Sequence, residues 1–303
     1  MMPKGNTNII VRKTYEINDG QWRKFVKEFN NTFNRQSSVE DKKEFYSSNV
    51  YGYSYHAFAV SDNGNIIGHT SLIPSQYRAG DQTVMMGISG GTFVSKEHRS
   101  NIFLFREMYN KLKKYAQKEG MTATLGVPNK NSFQYVTKIL NKVHIGDLNY
   151  YVLPVRLGNI MDLKFKSICN FLSRLAILAW YWINKLYILF HNPKDEKPIY
   201  EVIKSTDFLN KRFKKGYGQV ADDTCGQYYY KLEDEGGIRV AYIMYANGKS
   251  GADLKSLLRI SNIILGQEMV DMVMYIGLLN FFPRFLFKVP KSKIPQKLPL
   301  TVD

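Results

Sequence analysis

Cysteine is scarce in this 303-residue chain: there are two, Cys169 and Cys225, and no Cys-x-x-Cys pair. That argues against a disulfide framework and a cysteine-based zinc site, and it suits a reducing compartment. The five histidines, His56, His69, His98, His144 and His191, form no His-Glu-x-x-His or comparable metal-ligand spacing. The amino-terminal MMPKGNTNIIVRKTYEIND has no apolar core of secretion-signal length, so a cytoplasmic location is expected. Acid is in deficit too, with 26 Asp and Glu against 42 Lys and Arg, a formal charge of +16. Such a surplus favours anionic partners: nucleic acid, anionic lipid or a polyphosphate cofactor. The basic residues are scattered, so charge alone does not favour nucleic acid. The clearest local excess, residues 284–302, reads first as a solvated tail interleaved with prolines.

What is present describes a packed protein, 44% hydrophobic and 22% charged. Residues 8–14 read as a strand. WRKFVKEFNNTF then sets Trp22, Phe25, Phe29 and Phe33 at helical spacing, a core-facing stripe. YHAFAVSDNGNIIGHTSLI places two β-rich runs around Asp62-Asn63-Gly64-Asn65, a hairpin signal, and a second strand pair turns around Ala79-Gly80-Asp81. Residues 102–118 carry Phe105, Met108, Leu112 and Tyr115 on one face and stop at Gly120, as an amphipathic helix does. MTATLGV is a buried-strand candidate and NSFQYVTKIL a further helix.

The composition shifts at FKSICNFLSRLAILAWYWINKLYILF. Its uncharged run between Arg174 and Lys185 is too short to cross a bilayer. Wound at about 100° per residue, Lys166, Asn170, Ser173, Arg174, Asn184 and Lys185 share one narrow stripe, expected to be the wet side. The rest is apolar, so the helix is either buried between two domains, the favoured expectation, or lies in a membrane interface. Beyond it, QYYYKLEDEGGIRVAYIMY repeats the hairpin pattern, ADLKSLLRISNIIL follows as a helix and MVDMVMYI as a strand. This suggests two similar α/β halves: 1–160, a connecting helix over 161–195, and 196–303.

The stretch TFVSKEHRSNIFLF leads from a strand into a helix. A helix N-terminus offers unpaired N–H groups and the positive end of the dipole, and diphosphates bind there. Arg99 can add a charge-assisted contact, Ser100 or Asn101 can cap, and Asn tolerates the left-handed conformation that glycine otherwise supplies. On this segment alone an anion site and a plain capped loop are equally supported. The order of strand, turn, amphipathic helix and strand, followed by LGVPNKNSFQYVTKIL, resembles the acetyl-CoA-binding core of the GNAT acetyltransferases. Val94 and Arg99 match the family's Val-x-x-x-x-Arg turn, and Asn129 with Ser132 match its Asn-x-x-Ala/Ser motif. GVPNKNS is similar to the GFPNxNS of members found with bacterial surface-polysaccharide genes, and FLNKRF resembles a recurring C-terminal element of that group. The turn here is one residue short and lacks both glycines, and Val136 stands where many members carry a tyrosine acid.

The resemblance implies an α/β acyl-CoA N-acyltransferase fold, a mixed sheet with flanking helices, in two tandem halves. It implies acetyl-CoA as co-substrate, held by Phe93, Val94, Arg99, Ser100, Asn101, Asn129 and Ser132, with no metal. A primary amine, sugar-linked in that group, would attack the thioester directly, which agrees with the absence of a recognisable Cys or Ser nucleophile motif. A backbone N–H of Phe93 or Val94 would hold the oxyanion, and Tyr135 would be the acid. His69, His98 and Asp81 are conceivable bases, each read first as structural. Two alternatives stay open: a non-catalytic CoA- or anion-binding module, and a tandem-GNAT aminoacyl or peptidyl transferase that would need RNA. So does peripheral membrane contact.

Overall fold

The computed structural model describes residues 7–190, 200–203, 205–213, 216–222, 226–246, 261–262, 264–266, 268–278 and 285–303. The chain runs β1 (Asn8–Lys13), α1 (Asp19–Phe33), α2 (Val39–Ser47), β2 (Tyr55–Val60), β3 (Ile66–Ala79), β4 (Gln82–Val94), α3 (Ile102–Lys118), β5 (Met121–Gly126), α4 (Lys130–Lys138) and β6 (Val143–Asp147). It continues through β7 (Asn149–Pro154), α5 (Leu157–Ile160), α6 (Lys166–Phe190), β8 (Tyr200–Val202), α7 (Thr206–Arg212) and β9 (Gly218–Asp222). Then come β10 (Gly226–Glu235), β11 (Ile238–Ala246), β12 (Met272–Gly277), β13 (Phe287–Lys288) and β14 (Pro299–Val302). Capping explains the first two helix starts. Asn18 accepts from the Gln21 N–H while the Gln21 side chain reaches back, and Ser38 with Asp41 repeats the arrangement. The expected helix over 252–265 falls largely outside the described residues.

Contacts divide the chain into two units. The first is Met1–Asp147, Ile199–Arg212 and Leu298–Asp303; the second is Leu148–Pro198 and Phe213–Lys297. The sequence-based boundaries at 160 and 195 are not breaks between these units. In the first unit the strand order is β1-β2-β3-β4-β5-β14-β6, with β8 added on β3. All described pairs are antiparallel except β4 with β5. The period of two in β2 sorts its side chains. Tyr55, Ala57 and Ala59 pack with Met108 and Leu112 of α3, while Phe58 packs with Trp22 and Phe25 of α1 and Tyr46 of α2. Each large side chain so buried contributes about 1.5–3 kcal/mol.

The second unit has the order β13-β7-β12-β11-β10-β9, again with one parallel pair, β11 with β12, among antiparallel neighbours. Both sheets thus share a sequence of pairings: an antiparallel hairpin, a parallel strand, then an antiparallel strand. That last strand is exchanged along the chain. In the first unit it is β14, from the far end of the sequence, and in the second it is β7, which directly follows β6. The pattern is compatible with tandem halves. It also corrects the expectation of a solvated tail over 284–302, because Phe285 and Leu286 are buried and β14 lies between β5 and β6.

The second correction concerns α6. The expected wet stripe turns its middle inward: Ser173 is 6% and Asn184 4% exposed. The Ser173 hydroxyl donates to the Val155 carbonyl (2.7 Å), and Asn170 exchanges bonds with Asn159. Trp180 stacks on Phe287 and Tyr181 meets Phe285 edge-on. Short polar side chains fit here because they satisfy backbone and amide groups near α5. The apolar face is the exposed one.

Candidate active site

Parallel β4 and β5 pair from Met85 opposite Met121 to Ile88 opposite Leu125, with one shift of register between Met85 and Met86. Beyond that point β4 remains bonded to β3 as far as Val94, while β5 pairs with β14, Gly126 facing Thr301. Residues 89–94 of β4 therefore have no β5 partner, and the two strands part at their carboxyl ends. In open α/β sheets, ligands bind outside the carboxyl ends of the parallel strands. Here the parting strands feed two helix N-termini, those of α3 and α4.

A bulge shapes this end of β4. The register with β3 shifts between His69 and Ser71, and Gly91 takes φ +57°, a conformation natural to glycine. A Cβ at Gly91 would lie 2.1 Å from the Tyr46 hydroxyl oxygen. His69 Nδ1 is 2.7 Å from the Gly91 carbonyl, which can only accept, so the proton sits on Nδ1. His69 Nε2 then accepts from His56 Nδ1 at 3.1 Å, and His56 Nε2 is left to accept from the Thr14 hydroxyl at 3.0 Å. Burial holds His56 well below the ordinary imidazole range and pushes His69 down to about 3, so both rings are neutral at pH 7. The pair is a fixed strut under the bulge. His69 is thereby no base. Of the other two base candidates, Asp81 lies in the hairpin turn at the opposite end of β4, and His98, in the turn after β4, is oriented by a bond between its Nδ1 and the Ser95 hydroxyl at 2.9 Å.

The turn after β4 is a 3-10 turn, Lys96–His98, not a glycine loop. Asn101, rather than Ser100, caps α3, accepting from the Leu104 N–H at 3.3 Å. Asn101 has φ −87°, so the left-handed conformation allowed for it is not used. Arg99 Nε donates to the Val94 carbonyl at 3.1 Å, which holds an exposed guanidinium at the end of β4. Phe93 points into the core beside Phe25, leaving its backbone rather than its ring at the strand end. Asn129 caps α4 by accepting from the Ser132 N–H at 2.9 Å, and the Ser132 hydroxyl bonds back to Asn129 Oδ1 at 3.0 Å. The structure thus sets Phe93, Val94, Arg99 and Asn101 along one strand–helix junction and Asn129 with Ser132 at the next. Tyr135, on α4, is 45% exposed, whereas Val136 beside it is half-buried. Neighbours on a helix point about 100° apart, so Tyr135 does not share the direction of Val136.

Sequence reasoning missed Lys142. This lysine is only 4% exposed, and its ammonium donates to Thr124 (2.7 Å) and Ser89 (3.2 Å), side chains on the two parting strands. It lies 4.7 Å from the Tyr109 ring centroid. Tyr109 bonds Thr124 and the Asp303 carboxylate, which also pairs with Lys113. Burial brings Lys142 down to about 8, with Asp303 opposing the fall. Its partners stand far away in the sequence, and no local pattern marks them.

Residues 13–136 match the model of the acetyltransferase (GNAT) domain. No curated protein matches the sequence. The fold is shared with three solved structures. A probable N-acyltransferase from Enterococcus faecalis V583 has TM-score 0.56 and 13% identity over 97% of this chain and 72% of its own. A GCN5-related N-acetyltransferase from Kribbella flavida gives 0.60 and 12% over 98% and 71%. One from Anabaena variabilis ATCC 29413 gives 0.58 and 10% over 97% and 72%. The fold is therefore the mixed-sheet GNAT fold, and the likeness extends across both units.

Proposed function

We propose that the chain transfers an acyl group, acetyl from acetyl-CoA, to a primary amine at the cleft between β4 and β5. The observation that carries this reading is the parting of the parallel pair after Ile88 and Leu125, with open backbone on β4 and helix N-termini following both strands. Acyl-CoA binding uses those features: unpaired strand N–H groups take the pantetheine amides, and a helix N-terminus with Arg99 takes the pyrophosphate. Asn101, Asn129 and Ser132 hold the two helix starts in place, and Ser100 adjoins the first.

In the proposed reaction the neutral amine attacks the thioester carbonyl carbon. The resulting oxyanion accepts from a backbone N–H of Phe93 or Val94, aimed by the Gly91 bulge. Collapse breaks the C–S bond, the thiolate takes a proton from Tyr135, and the amide nitrogen loses one to water. The acceptor is proposed to be an amino sugar of a surface-polysaccharide precursor, on the strength of the GVPNKNS motif. A second reading, a CoA-binding module without turnover, is favoured by the exposed position of Tyr135 and by valine at 136.

The test is acetyl-CoA-dependent thiol release across a panel of amino sugars. Turnover with one of them supports the enzyme. Binding without turnover supports the module, and no binding removes both. Tyr135→Phe should keep acetyl-CoA affinity and lower the rate by about 10²–10⁴.

A further inference from the structure

We propose that α6 is an in-plane membrane helix, whose outward face enters the headgroup boundary of an anionic bilayer. The helix presents Ile168, Phe171, Leu175, Trp182, Ile183 and Leu186, all exposed and covered by no described residue. At about 100° per residue these six fall within one half of the helix surface, opposite Ser173, Ile177 and Asn184. The inner half is already occupied by the second unit's own core, against which Ile177, Trp180 and Tyr181 pack. An apolar patch this long on a monomer marks an interaction surface.

The charges name the partner. Arg174 and Lys185 flank the apolar face on one edge, both exposed, and Lys185 Nζ lies 4.6 Å from the Trp182 ring centroid. No Asp or Glu stands between Asp162 and Asp195, whereas Lys164, Lys166, Arg174, Lys185 and Lys194 all do. A second copy docked on the same face would bring basic flanks together with no acid to pair them. A bilayer with anionic headgroups instead accepts the apolar side chains and lets the long basic ones reach phosphate. Crossing is excluded by the same residues: Arg174 and Lys185 are about 16 Å apart along the axis, against a hydrocarbon core of ~30 Å. Among the described residues no helix is long and apolar enough to cross a membrane. The inference is independent of the proposed catalysis.

The experiment is flotation of the full chain with phosphatidylcholine vesicles, with and without phosphatidylglycerol. The expected result is flotation on the anionic vesicles, much weaker on the neutral ones, and partly retained at 1 M salt. Leu175→Glu with Leu186→Glu, both at exposed positions, should abolish it while the circular dichroism stays unchanged. Arg174→Gln with Lys185→Gln should weaken anionic binding by roughly thirtyfold, at about 1 kcal/mol per basic residue. Should the glutamate variant fail to fold, brominated lipid supplies the second measurement. It should quench wild-type tryptophan emission, and Trp182→Phe should remove most of the quenching. Absence of wild-type flotation overturns the proposal. So does a lipid-indifferent dimer that Leu175→Glu dissociates, since the face would then belong to a second copy.

Discussion

In the first unit the buried Thr124 and Lys142 lie where β4 and β5 part, at the carboxyl ends of the parallel pair. In the second the buried Asp271 stands at the amino end of β12. There the buried Asp271 carboxylate accepts from the Arg239 N–H (2.8 Å) and the Asn159 side chain (2.7 Å), with Arg156 3.8 Å away. These bonds tie β11, α5 and β12 together. The β11–β12 pair runs in register from Val240 opposite Met272 to Tyr242 opposite Met274. One strand pattern therefore carries two polar arrangements: in the first unit at the carboxyl ends, where the strands part, and in the second at the amino end, where the groups bond one another. A shared scaffold does not by itself make a site; the side chains placed on it do.

The comparison breaks most visibly at Gly91. Gly91→Ala forces a left-handed alanine and drives its Cβ into the Tyr46 hydroxyl, so it should cost about 2–4 kcal/mol in urea unfolding. Tyr46→Phe in the same chain should recover part of that loss. The equivalent attack on the second unit, Asp271→Asn, should cost about 1–3 kcal/mol and leave acetyl-CoA affinity unchanged. A fall in affinity there would deny the separation of roles.

The histidine strut gives a pH signature. His69 is held at about 3 in the fold against an ordinary value near 6.5. Between those values the unfolded chain binds the extra proton, so stability is complete above pH 6.5 and falls as pH drops through that window. At pH 5 the loss from His69 is about 2 kcal/mol. His69→Leu should be less stable than the wild type at pH 8, and the gap should narrow by pH 5. Lys142 adds a second window of the same sign at higher pH. Held at about 8, it is more readily deprotonated in the fold than in the unfolded chain, so stability rises from about pH 8 to 10.5. Lys142→Met should flatten that rise and change stability at pH 7 by less than about 1 kcal/mol.

Much of the first unit was legible in the sequence because its signals are local. The Asp62–Asn65 and Ala79–Asp81 turns, the stripe of α3 and its glycine stop all lie within one element or one hairpin. The strand–turn–helix junction around Val94 and Arg99 was legible for the same reason. Asn101's role was half-read, since a capping asparagine and a left-handed one look alike until the dihedrals are known. Lys142, Tyr109 and Asp303 were invisible because their meeting depends on β14 entering the sheet from the far end of the chain. The two faces of α6 were inverted for a related reason. Periodicity finds the polar stripe but does not tell whether Ser173 and Asn184 face water or backbone carbonyls.

The central claim is that the ligand sits where β4 and β5 part. Hydrogen–deuterium exchange with and without saturating acetyl-CoA tests it directly. Amides of residues 89–104 and 127–134 should slow, while those of 240–246 and 272–277 should not change. Protection confined to β11 and β12, or none anywhere, would contradict it.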